Sequence, residues 1–236
     1  MKYTVKVILR GVKRRILTLF QDKKKIKEEH ALKHWINRKT VEGTLKNAHY
    51  EQFFTVHFGL DRTFYNGKKI LDIGCGPRGS LEWADMAGER VGLDPYSASY
   101  HELGADCHKM KYVAAPAEQI PFPDGHFDVV SSFNSLDHVD DLDKAVKEII
   151  RIIVPGGLFL LLTEIRMYST VCEPQIFGWD IVDDFLPGLK LIDQRHYEQS
   201  AGGMHESILA DIPYDHTVEH HKGILSAKFI KSGVRA

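Results

Sequence analysis

The feature that most constrains this chain is the segment KILDIGCGPRGS at residues 69–80. An apolar run reaches an acid, and three glycines follow it at the spacing G-x-G-x-x-G. These residues are Asp72, Gly74, Gly76 and Gly79. The pattern is typical of a β-strand that ends in a glycine turn, and a helix is expected to begin near Ser80. Glycine tolerates positive φ and has no Cβ atom, so the segment predicts a turn whose backbone a ligand can approach closely.

Asp72 narrows the class of ligand. The glycine spacing alone serves dinucleotide, flavin and sulfonium cofactors, so it does not decide between them. A nearby carboxylate would repel a pyrophosphate in a partly dry cleft, whereas it would attract a ligand that carries an ammonium group. S-adenosylmethionine has an amino-acid end, a sulfonium and an adenosine, and the acid therefore favours it. The alternative is a glycine turn with a merely structural acid.

The segments that follow continue an alternation of strands and helices. Residues 89–95, ERVGLDP, predict a second strand that ends in Asp94, whose carboxylate is placed to accept both ribose hydroxyls. A third strand, a proline-rich loop and a fourth strand at 127–133 come next. A helix is expected over 142–153, and the apolar run LFLLLTEI after VPGG predicts a buried fifth strand.

The order of DIGCG, GLDP, AEQIPFPDGHFDVV and VPGG within residues 68–166 resembles the class I S-adenosylmethionine-dependent methyltransferases. The likeness is to their small-molecule branch, methyltransferase domains 11 and 25. It implies an α/β fold: a Rossmann-like, seven-stranded, mostly parallel sheet with helices on both faces and an antiparallel last strand, preceded by an N-terminal helical extension. Residues 189–198 and 224–232 are expected to form the sixth and seventh strands.

Charge and the resemblance together predict a division of the chain. We expect a basic arm at 1–27, a helical lid region at 28–66 and a methyltransferase domain at 67–236. Within that domain, residues 166–188 and 200–222 are expected to be insertions on the substrate side.

The resemblance assigns the cofactor site residue by residue. The amino-acid end, the ribose and the adenine ring would be held in turn by residues that follow the first four strands. The residues around the amino-acid end and sulfonium are Asp72, Gly74, Cys75, Gly76, Gly79 and Asn134, the ribose is assigned to Asp94, and the adenine contacts are Pro95, Tyr96, Ala117 and Glu118. Family members often have an acid where this chain has Pro116, so the contact with the adenine amino group is expected to be weaker here.

Methyl transfer from a sulfonium requires alignment and exclusion of water, and it needs a base only when the acceptor must lose its proton early. His138 is the best-placed candidate, since it follows the fourth strand and its ordinary pKa suits proton transfer near neutrality. A histidine that caps the next helix is the alternative. Glu164, at the end of the fifth strand, is a second catalytic candidate. Acids in these loops more often cap helices than bind cations, and no metal site is predicted.

The acceptor is expected to be a small molecule or glycan, methylated on a hydroxyl group. Candidate residues for its recognition lie in the lid region and in the first insertion: Tyr50, Phe54, His57, Tyr168 and Trp179. Core packing is an equally good interpretation for the aromatic residues of the lid.

Charge is distributed unevenly along the chain. Residues 1–27 contain ten Lys or Arg and one acid, within a net charge of −1 for the whole sequence. Apolar residues recur there at helical spacing, which predicts a basic amphipathic helix. It would lie on an anionic membrane surface, with a lipid-linked acceptor nearby, or pack on the protein itself or on a second subunit, as in a homodimer. Nucleic acid is not an expected partner, because the rest of the chain is acidic.

Three cysteines without a paired pattern indicate a reducing compartment. The expected location is therefore the cytoplasm, with peripheral attachment to the inner face of the membrane if the arm binds lipid. Two other functions stay open: a nicotinamide-dependent oxidoreductase on a similar fold, which Asp72 disfavours, and a non-catalytic assembly subunit that binds the cofactor.

Overall fold

The structure is a computed structural model that describes residues 23–186, 188–219 and 221–233. Residues 1–22 of the predicted basic arm lie outside the described residues. The α-helices are α1 (residues 23–42), α2 (Tyr50–Phe54), α3 (Leu142–Ile152) and α4 (Met204–Ala210). The strands are β1 (Lys69–Ile73), β2 (Glu89–Leu93), β3 (Lys111–Val113), β4 (Phe127–Phe133), β5 (Ile153–Ile165), β6 (Leu189–Glu198) and β7 (Gly223–Lys231). Short 3₁₀ segments cover Val56–Phe58, Arg62–Tyr65, Ser97–Leu103, Ala105–Cys107, Leu136–His138 and Trp179–Phe185.

The seven strands form one sheet in the order β3-β2-β1-β4-β5-β7-β6. Strands β1 to β5 are parallel to their neighbours, whereas β7 is antiparallel to both β5 and β6. The predicted fold class is therefore confirmed, including the antiparallel last strand. The strand order reverses beside β1, so the carboxyl ends of β1, β2 and β4 open onto one crevice, where ligands bind in sheets of this type.

Each face of the sheet is covered by apolar side chains from flanking segments. On one face, α3 presents Ala145, Val146, Ile149 and Ile152, which recur at helical spacing and are buried. Asp141 caps this helix by accepting from the Lys144 amide at 3.1 Å. On the other face, aromatic side chains from α2 and the turns after it form the core: Phe53, Phe54, Phe58 and Tyr65. Both layers hold the crevice in a fixed shape.

The helix expected near Ser80 is absent, and residues 80–87 form turns and bends instead. Only a short span separates the glycine turn from β2. A helix rises about 1.5 Å per residue and a strand about 3.3 Å, so a helix in this span is too short to return alongside β1. The turns still bury Leu81 and Ala84 against the sheet.

Among the described residues, no helix combines the length and the hydropathy that are needed to cross a lipid bilayer.

Candidate functional site

The glycine turn leaves β1 with its backbone in a conformation that favours glycine. Gly74 has φ 71° and Gly76 has φ 56°, both in the left-handed region. A Cβ atom on Gly74 would collide with the side chain of Ser135, and one on Gly76 would come within 2.5 Å of the Trp35 ring. Helix α1 therefore lies directly over the turn, with Trp35 against its exposed backbone.

Asp94, at the end of β2, is a buried carboxylate held by neutral donors. It accepts from the amides of Gly76 at 3.3 Å and Tyr96 at 2.9 Å, and from the Tyr100 hydroxyl at 3.1 Å. Burial raises the pKa of Asp94 above its usual range. No lysine or arginine in the described part of the chain forms an ion pair with it. The carboxylate is thus fixed in position while its charge remains uncompensated.

Asp72 lies on β1 beside β4 and is also buried. It accepts from the Ser131 hydroxyl at 2.7 Å and from the Ser80 hydroxyl. Burial raises the pKa of Asp72 to about 6, and the two hydroxyl donors oppose that shift. The pairing of β1 with β4 places Asp72 opposite Ser131, which explains the contact.

Asn134 follows β4 with φ 53°, an uncommon value for a residue that is not glycine. Its amide N–H donates to the Leu162 carbonyl at 2.7 Å, which fixes the turn. The side-chain Oδ1 atom is buried and has no hydrogen-bond partner among the described residues. An unpaired buried acceptor is costly, so this oxygen is suited to receive a donor from a ligand.

The predicted adenine contacts occupy different environments. Ala117 is buried, Tyr96 is half-buried and Pro95 is exposed. The Glu118 carboxylate accepts from the amides of Asp140 at 2.6 Å and Asp141 at 3.1 Å, so it supports the start of α3. In the glycine turn, Cys75 is buried beside Gly92, and Gly79 faces His108.

A second cluster of charged groups follows β4 and β5. Arg166 is buried and forms ion pairs with Asp137 and, at 2.5 Å, with Glu173. His138 places its Nε2 atom 3.7 Å from Asp137 Oδ1, and its side chain is 45% exposed. One carboxylate oxygen of Asp137, one of Glu173 and one ring nitrogen of His138 all lie within 4.8 Å of one another. The Arg166 guanidinium pairs with both acids, so one positive charge of the chain lies between the two carboxylates.

Helix α1 is tied across the crevice at both of its ends. Near its start, Lys27 is buried and donates to the His138 carbonyl at 2.7 Å and to Asp140 at 2.8 Å. Near its end, Glu42 forms a two-point ion pair with Arg78 of the glycine turn. The helix thus connects the loop after β1 with the loop after β4.

The candidate acceptor residues are not all gathered at the crevice. Tyr50 is buried close enough to Asp72 for that charge to help raise the pKa of its hydroxyl, although burial is the larger cause. Phe54 is fully buried and packs on Phe133 with 4.7 Å between the ring centres, so it is a core residue. The His57 ring forms a hydrogen bond of 2.8 Å with the Ser226 hydroxyl of β7. Strands β4 and β5 lie between β7 and β1, which leads into the glycine turn, so His57 is remote from that turn.

The two candidates from the first insertion also differ. Tyr168 is exposed beside Lys222, whose ammonium lies 5.4 Å from the ring centre. Trp179 stacks on His196 of the edge strand β6, with 4.0 Å between the ring centres, and is distant from the crevice. Glu164, the second catalytic candidate, is half-buried near Arg166, and burial raises its pKa.

Sequence reasoning did not find several residues that build the site. Trp35, Arg78 and Tyr100 contact the glycine turn or Asp94, and Arg166 neutralises Asp137. A lone arginine directly after a buried strand is the only local signal that could have pointed to one of them, namely Arg166.

Comparison with known proteins agrees with this geometry. Residues 71–161 match the family described as "Methyltransferase domain". The match covers less than half of the chain, and within it the chain is similar to the class I S-adenosylmethionine-dependent methyltransferases.

Among curated relatives, the chain is 34% identical over 121 residues to the chloroplastic tocopherol O-methyltransferase of Arabidopsis thaliana, an alignment that covers 48% of this chain and 35% of that protein. It is 35% identical over 123 residues to the ubiquinone/menaquinone biosynthesis C-methyltransferase UbiE of Neisseria meningitidis, covering 48% of this chain and 50% of that protein. The chain thus spans between about a third and a half of the length of these relatives.

Solved structures show the same fold. A methyltransferase of Thermotoga maritima, described as a possible histamine N-methyltransferase, aligns with a TM-score of 0.56 and 18% identity over 86% of this chain and 99% of that one. The N-methyltransferase NodS of Bradyrhizobium japonicum, in complex with S-adenosylhomocysteine, aligns with a TM-score of 0.54 and 12% identity over 77% and 85% of the two chains. These identities are low, so the likeness concerns the fold.

The described residues fit the cofactor of this family. The ribose hydroxyls would find an uncompensated acceptor in Asp94, and the ammonium group would find Asp72 and the unpaired Asn134 oxygen. The backbone of Gly74 and Gly76 is free of Cβ atoms where the amino-acid end would lie.

Proposed function

We propose that this protein is a methyltransferase that uses S-adenosylmethionine to methylate a hydroxyl group on a small lipophilic molecule. The choice of cofactor rests on the Asp94 carboxylate. It is buried, it is fixed by three neutral donors, and it has no cationic partner among the described residues. Further donors from a ligand would stabilise such a buried carboxylate.

Different residues of the crevice would bind different parts of the cofactor. Asp94 would accept from the ribose hydroxyls, and Asp72 with Asn134 would face the ammonium end. Trp35 and helix α1 cover the glycine turn and would exclude water from the reaction. When bound, the cofactor supplies a methyl carbon that is activated by its attachment to a sulfonium.

His138 is proposed to receive the proton of the acceptor hydroxyl. Its ring is partly exposed at the crevice, so an acceptor can reach it, and Asp137 lies 3.7 Å from its Nε2 atom. As the oxygen–methyl bond forms and the methyl–sulfur bond breaks, the hydroxyl proton would pass to the imidazole. Asp137 would stabilise the imidazolium, while Arg166 holds that carboxylate in place.

The class of acceptor is inferred from the relatives. Their names give tocopherol, sterols and ubiquinone or menaquinone as the molecules methylated or made. These molecules share a polar head and a lipophilic body, which favours a small lipophilic acceptor near a membrane over a free glycan. The homodimer remains a separate prediction, and so does the division into arm, lid and domain.

Two measurements test the proposal. Calorimetric titration should show saturable binding of S-adenosylhomocysteine and none of NADH, and the opposite result would restore the oxidoreductase hypothesis. Incubation with methyl-labelled S-adenosylmethionine and candidate lipophilic acceptors should then give a labelled product.

The His138→Gln variant should lower kcat by about 10²- to 10⁴-fold, which is the usual contribution of a general base. His101→Gln, a change at an exposed histidine of the 97–103 segment, is the matched control and should leave kcat unchanged. If both variants are as active as the parent, His138 is not the base. If S-adenosylhomocysteine binds but no candidate is labelled by the parent protein, the non-catalytic interpretation gains support.

A further inference from the structure

Large apolar side chains on the protein surface are concentrated around the crevice. Thirteen are exposed among the described residues, and ten of these lie on α1, on residues 166–178 between β5 and the 3₁₀ segment Trp179–Phe185, or on the segment between β6 and β7. All three segments lie at or across the carboxyl edge of the sheet. The ten are Ile26, Ile36, Val41, Met167, Tyr168, Val171, Ile176, Leu209, Ile212 and Val218. Concentrated apolar exposure of this kind marks a surface that contacts another body.

Five of these side chains belong to neighbouring segments, and we call them the apolar rim: Ile26, Met167, Tyr168, Val171 and Ile176. Each is between 49% and 56% exposed. Gln175 donates its amide N–H to the Asp137 carbonyl and its side-chain N–H to the Val139 carbonyl, while Lys27 of α1 bonds to His138 and Asp140 in the same loop. The start of α1 and the segment after β5 therefore flank the loop that carries His138.

The segment after β5, which carries most of the rim, is held in place by contacts within the chain. Arg166 pairs with Glu173 at 2.5 Å, and the Thr170 amide donates to the Glu173 carbonyl at 3.0 Å. Cys172 is buried within the same segment. Arg166, Glu173 and Gln175 are thus held by partners within the chain, whereas the large apolar side chains of the rim are directed to solvent.

Positive charge accompanies the rim. Helix α1 contains seven Lys or Arg and three Glu, so it carries a net charge of +4 in a chain whose total is −1. Lys222 lies over the Tyr168 ring, and Lys23, which pairs with Asp140, is at the start of α1 near Ile26. The basic and apolar residues 1–22 join the described structure at this same end. Lysine is depleted in protein–protein interfaces, whereas lysines beside exposed apolar side chains suit an anionic lipid surface.

We propose that the apolar rim docks on an anionic lipid bilayer, so that the crevice opens toward the membrane and takes its acceptor from it. This inference rests on the proposed function, because it names the membrane as the source of the lipophilic acceptor. The rim would enter the interfacial layer, and the exposed lysines of α1, Lys24, Lys25 and Lys33, would contact anionic headgroups. His138 would lie just behind that surface.

The test is co-sedimentation of the full-length chain with vesicles of phosphatidylcholine mixed with phosphatidylglycerol, and with vesicles of phosphatidylcholine alone. The rim variant Val171→Ser/Ile176→Ser is compared with Val56→Ser/Leu186→Ser, which removes exposed apolar side chains outside the three crevice segments. The parent and the control should bind the anionic vesicles equally, and the rim variant should bind about tenfold more weakly or worse. Unfolding curves of all three should agree, which excludes misfolding as the cause.

Equal vesicle binding by the rim variant and the parent would overturn the proposal and leave residues 1–22 as the only membrane contact. A change in oligomeric state of the rim variant, with vesicle binding unaltered, would also overturn it and assign the rim to a second copy of the chain. Calorimetric binding of S-adenosylhomocysteine, measured on the same proteins, is independent of the rim. Its absence would refute the proposed function, while the vesicle result would still decide the docking surface.

Discussion

The two sides of the crevice hold their buried carboxylates in different ways. On the cofactor side, Asp72 and Asp94 accept only from hydroxyls and backbone amides, so their charge is available to a ligand. On the acceptor side, Asp137 is paired with the guanidinium of Arg166. We therefore expect the unpaired carboxylates to bind a ligand and the paired carboxylate to position its neighbour, since only the unpaired ones have charge left for a ligand.

The largest effect should come from breaking the paired carboxylate. Arg166→Ala leaves Asp137 buried without its cation, and loss of one partner of a buried pair costs about 3–5 kcal/mol. The free energy of unfolding, measured with urea, should fall by that amount. Arg62→Ala removes an arginine whose pairs with Glu51 and Asp85 are partly exposed, and it should cost at most about 1 kcal/mol. Equal losses in both variants would show that the buried pair has no special role.

The unpaired carboxylate should matter for binding. Asp94→Ala should weaken the binding of S-adenosylhomocysteine by about 1–3 kcal/mol, or about 5- to 150-fold in Kd, through loss of charge-assisted hydrogen bonds. Calorimetry measures the change. Asp85→Ala, at an exposed acid before β2, is the control and should leave Kd unaltered. An unchanged Kd for Asp94→Ala would remove the ribose assignment.

A smaller effect is expected from one of the donors that fix Asp94. Tyr100→Phe removes the hydroxyl that donates at 3.1 Å and keeps the buried ring. Loss of a single hydrogen bond corresponds to about 0.5–1.5 kcal/mol, so Kd for S-adenosylhomocysteine should change by at most about tenfold. If this variant binds as weakly as Asp94→Ala, the hydroxyl itself contacts the ligand and the role of Asp94 is indirect.

The smallest net effect should appear in the pH dependence of stability, because two titratable groups, His57 and Asp72, change the free energy of unfolding in opposite directions. Burial lowers the pKa of His57 to about 4, so the unfolded chain binds more protons and stability is lost as pH falls from 6.5 to about 4. Burial raises the pKa of Asp72 to about 6, so the folded chain binds more protons and stability is gained as pH falls from about 6 to 3.8.

Single variants separate these contributions. His57→Gln should flatten the decline of the unfolding free energy toward acid pH, and Asp72→Asn should steepen it. Urea titrations across this pH range measure both slopes, with His101→Gln as the control. Slopes that shift in the same direction for the two variants would contradict the opposed contributions.

The strands of the sheet were predicted well from the sequence, because the residues of each strand are close in the chain. A strand, an acid and a glycine turn follow one another from Lys69 to Gly79, and Asp94 closes the next strand. The helix expected at Ser80 was wrong because pattern alone does not measure how far the chain must travel before β2. For the acceptor side, Phe54 is a core residue, and His57 and Trp179 lie by β7 and β6, away from the glycine turn.

By itself the sequence determined the fold class, since alternation of apolar residues and glycine spacing are local properties of the chain, and it supplied the cofactor residues as a prediction. The tertiary structure decided which distant residues complete the site. Trp35 covers Gly76, Arg166 neutralises Asp137, and the exposed apolar side chains collect around one edge. The pairing of buried charges and the exposure of side chains depend on how separate segments pack, and no local pattern encodes that packing.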